Sequence, residues 1–212
     1  MIVAVEGIDG AGKNTLVQAS TARLQSQGLT VATFAFPAYG QTLYADLADA
    51  ALHGRLGDAA NSAWGMALLF ALDRKERREA LVAAAASHDV VIIDRYVASN
   101  AAYSRARTGG EDIVTWIEHT EFFSFELPLP DVQVCLDTAV SVAADRAQSR
   151  EAHDAQRSRD VYERDASLQE RTLAAYRELA ARNWVSPWLL LDSDATSAER
   201  LSDWIVSSLS KS

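Results

Sequence analysis

Only one cysteine, Cys135, occurs in 212 residues, which excludes an intramolecular disulfide framework and a cysteine-rich zinc site. It lies in Val132-Gln133-Val134-Cys135-Leu136, where a buried strand residue is the ordinary reading and a reactive thiol the rarer one. Positive charge is scarce as well: 20 Lys+Arg stand against 29 Asp+Glu, a formal net charge of −9 at pH 7. A broad nucleic-acid or membrane surface needs clustered positive charge, so neither partner is expected, and any phosphate binding must be local. No apolar run approaches the roughly 18 residues that span a bilayer. The first apolar stretch, residues 2–5, has no basic segment before it and is broken by Glu6 and Gly7, so a cytoplasmic location is expected. Four prolines and ten glycines beside 49% hydrophobic residues exclude a disordered or low-complexity chain. The length suits one domain, taken here as residues 1–212, with a sizeable core.

What is present alternates. Apolar runs at residues 2–5, 30–36, 90–93, 132–136 and 188–191 are continuous rather than alternating, the pattern of strands covered on both faces. Helical patterns lie between them. Residues 16–27 end at Gly28 and residues 41–53 at Gly54, both suited to a left-handed C′ position. Residues 62–86 predict one long alanine-rich helix capped by Asn61, and residues 160–182 another. The last helix opens on Thr196-Ser197-Ala198-Glu199, which reads as a capping box. Strands alternating with helices imply right-handed βαβ units, hence an α/β fold with a parallel sheet between helices. Residues 146–159 carry Arg146, Arg150, Arg157 and Arg159 without apolar periodicity, and taken alone they read as a solvated charged loop.

The chemistry starts directly after the first strand. Gly7-Ile8-Asp9-Gly10-Ala11-Gly12-Lys13 fits G-x-x-x-x-G-K, in which main-chain amides wrap an anion and the next helix adds its positive end. Lys13 supplies a mobile charge for the outer phosphates. The bare spacing arises by chance in about one in twenty chains of this length. The strand before it and the helix after it give it specificity. Where a Ser or Thr usually holds Mg²⁺, Asn14 stands, followed by Thr15. At the carboxyl end of the third strand lie Asp94 and Arg95, one able to position Mg²⁺, the other to clamp a phosphoryl group; the alternative is a local ion pair. Ser99, Asn100 and Tyr103 follow at helical spacing as a face for a base and sugar. Phe70 and Arg74, four apart, suggest a stacking ring beside a phosphate clamp.

Five blocks in this order carry a resemblance: the phosphate turn, Phe36-Pro37-Ala38-Tyr39-Gly40, Phe70-Ala71-Leu72-Asp73-Arg74, Asp94-Arg95-Tyr96-Val97-Ala98-Ser99-Asn100 and Tyr162-Glu163-Arg164-Asp165. Together they resemble the thymidylate kinase family in its actinobacterial form, over residues 1 to about 182. The resemblance implies a P-loop kinase fold with a five-stranded parallel sheet flanked by helices on both faces and a short arginine-containing lid at about 146–159. It also implies transfer of the ATP γ-phosphoryl group to dTMP, with Mg²⁺, by a homodimer. Gly7, Ile8, Asp9, Gly10, Ala11, Gly12, Lys13, Asn14 and Thr15, with Arg146, Arg150 and Arg157 from the lid, would then hold ATP. Asp9, Phe36, Tyr39, Phe70, Arg74, Arg95, Ser99, Asn100, Tyr103, Tyr162 and Glu163 would line the dTMP site. Phe70 would stack on thymine, and Tyr103 would lie against the deoxyribose. Lys13, Asp9, Arg95 and Arg150 are the candidate catalytic residues, and Asp9, Asp94 and Glu163 the candidate metal ligands. Position 38 departs from the family: Ala38 stands where an arginine is common, leaving Arg74 and Arg95 to hold the acceptor phosphate.

A deoxynucleoside kinase would share the turn and the lid, but its neutral hydroxyl acceptor needs a carboxylate base after the second strand. Here no acid follows Phe34-Ala35-Phe36-Pro37-Ala38-Tyr39 before Asp46, whereas a monophosphate acceptor is already anionic. A non-catalytic nucleotide-binding P-loop protein is the alternative that Asn14 and Ala38 keep open. His53, His88, His119 and His153 have no metal-ligand spacing, and Trp116, Trp184, Trp188 and Trp204 read as packing. Glu6 is expected to brace the phosphate turn. The run at residues 66–72 exceeds one helical stripe, which fits either a helix buried against a second copy or a deep internal core.

Overall fold

The computed structural model describes residues 1–153 and 160–210, with the backbone alone at Arg150, Ala152 and His153. In chain order its elements are β1 (Ile2–Glu6), α1 (Lys13–Ser26), β2 (Val31–Ala35), α2 (Leu43–Leu52), α3 (Ala63–Glu76), α4 (Arg78–Ser87), β3 (Val90–Asp94), α5 (Val97–Thr108) and α6 (Asp112–Glu118). There follow β4 (Val132–Leu136), α7 (Val140–His153), α8 (Val161–Arg164), α9 (Ala166–Ala181), β5 (Trp188–Leu191) and α10 (Ser197–Leu209). A π-helical turn, His119–Ser124, continues α6.

All five strands pair in parallel, in the order β2-β3-β1-β4-β5. This is the five-stranded parallel sheet of the P-loop kinase fold. β1 is central and buried throughout, as is β4, because helices cover both faces. The edge strands differ from expectation: Thr33 and Ala35 of β2 and Leu190 of β5 are exposed, since an edge gains cover over only part of its length. Val5 of β1 lies opposite Asp94 of β3. That register sets the turn after β1 beside the turn after β3, at the carboxyl ends of the strands, where open α/β sheets hold ligands. Among the described residues no helix is long and apolar enough to cross a membrane.

Several helix boundaries depart from the sequence expectation. The helix expected over 62–86 is two, α3 and α4, hinged at Arg77, and its cap is not Asn61 but Ser62, whose hydroxyl accepts from Gly65 N at 3.0 Å. The helix expected over 160–182 is divided at Asp165, whose carboxylate accepts from Leu168 N at 3.0 Å and so starts a second helix. Asp160 caps the first, accepting from Tyr162 N and Glu163 N. The capping box of α10 does not form. Asp194 takes that role by accepting from Thr196 N at 2.8 Å, and Glu199 instead pairs with Arg23 of α1. The charged stretch expected as a loop from residue 146 begins as helix, because α7 runs on to His153.

A second, smaller apolar cluster joins α2, α3, α5, α8 and α9 through Ala48, Ala51, Leu52, Met66, Ala106, Tyr162 and Leu168. It carries the walls of the cavity described below. The β2–α2 connection is tied to it by Asp73, which is fully buried and accepts from Ala38 N at 3.0 Å and from Thr42 Oγ1 at 2.5 Å. Asp73→Ala leaves both donors unpaired in the interior and is expected to cost about 2–3 kcal/mol, read as a lowered urea midpoint with an unchanged slope.

Candidate functional site

The turn between β1 and α1 lies against the start of α7. A Cβ on Gly10, at φ +79°, would stand 2.0 Å from the Ala143 carbonyl oxygen, so only glycine fits this approach. The turn is also held from outside. The Ala11 carbonyl accepts from Ser193 Oγ at 2.8 Å, Thr138 Oγ1 at 3.2 Å and Arg146 Nη1 at 3.3 Å. Arg146 also donates to Ser193 Oγ at 2.7 Å. Lys13 opens α1 and reaches back across the turn to donate to the Ile8 carbonyl at 2.8 Å. Burial lowers its pKa, and Arg95 lowers it further; Asp9, Asp94 and Glu6 oppose this, leaving it at about 8. An open cleft beside the turn is lined by Gly10, Gly12, Lys13, Asn14, Thr15, Asp94, Arg146 and Glu163.

A second cavity of about 90 Å³ shares Asp9, Phe36, Tyr39 and Arg95 with that cleft. The dividing wall is an ion pair between Arg95 Nη2 and Asp9 Oδ1. Tyr103 OH donates to Asp9 Oδ2 at 2.6 Å and Gln169 Nε2 to the same oxygen at 3.1 Å. Burial would raise the Asp9 pKa, but Arg95, Lys13, Tyr103 and Gln169 outweigh it and hold the carboxyl at about 2. Arg95 has φ +63°, a left-handed backbone that is rare outside glycine, and its N–H donates to Val5 O at 2.9 Å. The two acids near Arg95 are thus treated differently. Arg95 pairs with Asp9 rather than with its neighbour Asp94, so the local ion pair considered from sequence does not form. Asp94 Oδ1 is buried with no hydrogen-bond partner among the described residues.

Farther in, Phe70, Arg74, Ser99, Asn100, Tyr103 and Tyr162 line the same cavity. Arg74 is not an open phosphate clamp. It is buried, and it donates from Nε and Nη2 to Glu121, at 2.5 Å and 2.8 Å. Burial works against its charge, and Glu121 more than restores it, raising the pKa. Glu121 comes from the π-helical turn and also accepts from Asn100 Nδ2 at 2.8 Å. Ser99 donates its hydroxyl to Glu6, at 2.5 Å, and accepts from Arg95 Nη1 at 3.2 Å. Glu6 also accepts from Tyr96 N at 2.9 Å, so it braces the start of α5 instead of the phosphate turn, contrary to the expectation from sequence. Tyr162 stacks on Tyr103 at 6.2 Å and accepts from Arg107, which also donates to Ala60 O at 2.6 Å.

Of the expected site residues, those on the turn and those lining the cavity are thus brought together around one ion pair. Tyr39 and Phe36 sit at the mouth shared by both spaces. Arg157 and the side chain of Arg150 lie outside the described residues. Glu121, Gln169, Ser193 and Arg107 were not singled out from sequence, because each acts on partners distant in the chain. Gln169 and Asp9, for instance, are 160 positions apart.

The family model described as "Thymidylate kinase" matches residues 5–187. A thymidylate kinase of Mycobacterium tuberculosis, in two strains, is 48% identical over 197 residues, covering 92% of this chain and 92% of its own. One from Akkermansia muciniphila is 35% identical over 200 residues, covering 93% of this chain and 86% of its own. One from Bifidobacterium longum is 33% identical over 184 residues, covering 85% and 84%.

Lys13 is charged below its pKa and neutral above it. Affinity for ATP, measured by titration calorimetry from about pH 6.5 to about pH 9.5, is therefore expected to fall as pH rises through about 8. A flat profile would mean that the Lys13 charge takes no part in binding.

Proposed function

The chain belongs to the thymidylate kinase family, and from that premise we propose that it phosphorylates dTMP to dTDP with ATP as the donor. The observation that carries the reading is the Asp9–Arg95 pair, which makes one wall serve both the cleft at the phosphate turn and the inner cavity. Two polyanions on either side of that wall would meet where the positive charge of Lys13 and Arg95 is concentrated. ATP would lie along the turn, its phosphates against the amides of residues 7–13, Lys13, Asn14 and Thr15. The cations of the lid, Arg146, Arg150 and Arg157, would add positive charge as the γ-phosphoryl group passes. dTMP would fill the inner cavity, with its phosphate toward Arg95 and Tyr39 and its ring against Phe70. Its sugar would lie beside Tyr103, leaving no room for a 2′-hydroxyl. Tyr162 and Glu163 would close the site.

Chemistry of this kind rests on positioning and charge rather than on a base. Phosphoryl transfer passes through a loose transition state with charge spread over the oxygens, so fixed cations carry most of the catalysis. The acceptor oxygen of a monophosphate is anionic from the start. Both oxygens of Asp9 are already engaged, one by Arg95 and the other by Tyr103 and Gln169, which speaks against its serving as base to a nucleoside hydroxyl. Among the described residues no group of three His, Cys, Asp or Glu side chains is gathered to hold a metal ion unaided. Mg²⁺ needs only one or two carboxylates beside substrate phosphates, and Asp94, which keeps one buried oxygen without a protein partner, lines the cleft with Asn14, Thr15, Asp9 and Glu163. Asp94, with Asp9 and Glu163, would hold such an ion together with the phosphates it arrives with, and the ion would supply positive charge to offset theirs.

Residues 1–212 are read as one kinase domain with its lid at about 146–159, working in the cytoplasm as a homodimer. Trp64 and Leu68 on α3 and Phe123 on the π-helical turn are exposed and would suit a second copy.

Incubation with Mg-ATP and each deoxynucleoside or its monophosphate, followed by chromatography, tests the reading. dTDP is expected from dTMP, with no product from thymidine. Lys13→Ala is expected to lower kcat/KM at least about a hundredfold. Phosphorylated thymidine would indicate a deoxynucleoside kinase, and acceptor-independent behaviour throughout would indicate a silent nucleotide binder.

A further inference from the structure

Glu121 is fully buried, and its carboxylate accepts hydrogen bonds from Arg74 and Asn100. It sits in the six-residue π-helical turn His119–Ser124, the kind of local irregularity that recurs at functional sites. Its two oxygens reach the two polar side chains at the inner end of the cavity. Oε2 accepts from Arg74 Nε, while Oε1 accepts from Arg74 Nη2 and from Asn100 Nδ2. The second N–H of Asn100 Nδ2 donates to the Ala67 carbonyl at 2.9 Å.

Both donors of the Asn100 amide are therefore spent inside the protein. A flipped amide would aim its carbonyl oxygen at a carboxylate and a backbone carbonyl, which is repulsive on both sides. Asn100 is held in one orientation, and what it can offer the cavity is the acceptor Oδ1, which receives only a long 3.4 Å bond from Ser104 Oγ. Arg74 gives up Nε and one Nη2 hydrogen to Glu121 and can offer the cavity only donors. The inner end thus presents one acceptor beside one donor, in fixed order. A thymine ring carries the complement, an N3–H donor next to a carbonyl acceptor. A cytosine ring carries the reverse, an N3 acceptor next to an amino donor.

Resting on the reading of this cavity as the dTMP site, we infer that Glu121 is a positioning residue for base selection: it locks the Asn100 amide and the Arg74 guanidinium so that an imide ring is accepted and a cytosine is refused. The carboxylate is essential to the lock because it has only acceptors to give. A glutamine at 121 could donate to the Asn100 oxygen, leaving only the Ala67 carbonyl to oppose a flip, so that the amide would turn a donor toward the base part of the time. Uracil shares the imide face of thymine, so the lock has no means of telling dTMP from dUMP.

The test compares kcat/KM for dTMP, dUMP and dCMP in the unaltered protein, in Glu121→Gln and in Glu121→Asp. The unaltered protein is expected to prefer dTMP over dCMP by at least about a hundredfold, since a mismatched donor–acceptor pair leaves buried polar groups unpaired. In Glu121→Gln the dTMP:dCMP ratio is expected to fall at least about tenfold, with the KM for dTMP raised, the KM for ATP unchanged and the dTMP:dUMP ratio unchanged. Glu121→Asp keeps the charge pair with Arg74 but withdraws from Asn100. It is expected to fold if Glu121→Gln does not, and to lower the same ratio by a smaller factor. The inference is overturned if the unaltered protein turns over dCMP within about tenfold of dTMP. It is equally overturned if a folded variant loses activity on all three substrates in proportion, since that is what a merely structural carboxylate would do. If the unaltered protein forms no dTDP at all, the kinase reading fails instead, and the two failures are told apart by that first measurement.

Discussion

One ion pair, Asp9 with Arg95, ties the two halves of the site together. Asp9 belongs to the turn after β1 and Arg95 to the turn after β3, and the parallel register that sets Val5 opposite Asp94 makes them neighbours. Arg95 then takes a left-handed backbone conformation that costs on the order of 1 kcal/mol, offset by its N–H bond to Val5 and by the bonds its guanidinium makes. Through Tyr103 and Gln169 the same carboxylate reaches α5 and α9. Loss of either charge would strand the other in a largely dry wall, so the pair both shapes the cavity and concentrates positive charge for incoming phosphates.

An acidic chain built to grip anions faces an obvious conflict, and the interior shows how it is handled. Glu6, Asp73 and Glu121 are all fully buried, and each is satisfied by protein donors. Glu6 holds the start of α5, Asp73 holds the connection after β2, and Glu121 holds the inner end of the cavity. Burial pushes the Glu6 carboxyl up, while Ser99, Tyr96 and Arg95 pull against it. None of the three faces the phosphate turn as an open negative charge. Asp94 differs from these three, since one of its oxygens is buried without a hydrogen-bond partner among the described residues.

Much of this was legible in the sequence. The five strands lie where continuous apolar runs lie: β1, β3 and β4 because strands covered on both faces leave a strong one-dimensional signature, and the edge strands β2 and β5 in spite of residues left exposed. The glycine spacing of the phosphate turn is equally local, and Gly10 shows why, since the approach of Ala143 leaves room for nothing larger. Helix boundaries were less legible. The hinge at Arg77 carries neither glycine nor proline, and Asn61 and Ser62 are equally good caps on paper. The roles of Arg74 and Glu6 were misread for a deeper reason. Each is set by partners from other elements, Glu121 lying 47 positions from Arg74 and Ser99 lying 93 positions from Glu6. Nothing in the local pattern around Glu121 marks it out, because a π-helical turn has no apolar period to read.

The most direct measurement on the shared wall is a double-mutant cycle on dTDP formation, with Asp9→Asn, Arg95→Ala and the two combined. If the pair acts as one unit, the double variant loses about as much kcat as the worse single variant, a coupling that separate residues do not show. Strictly additive losses would contradict it, and would mean that the two side chains serve the reaction independently.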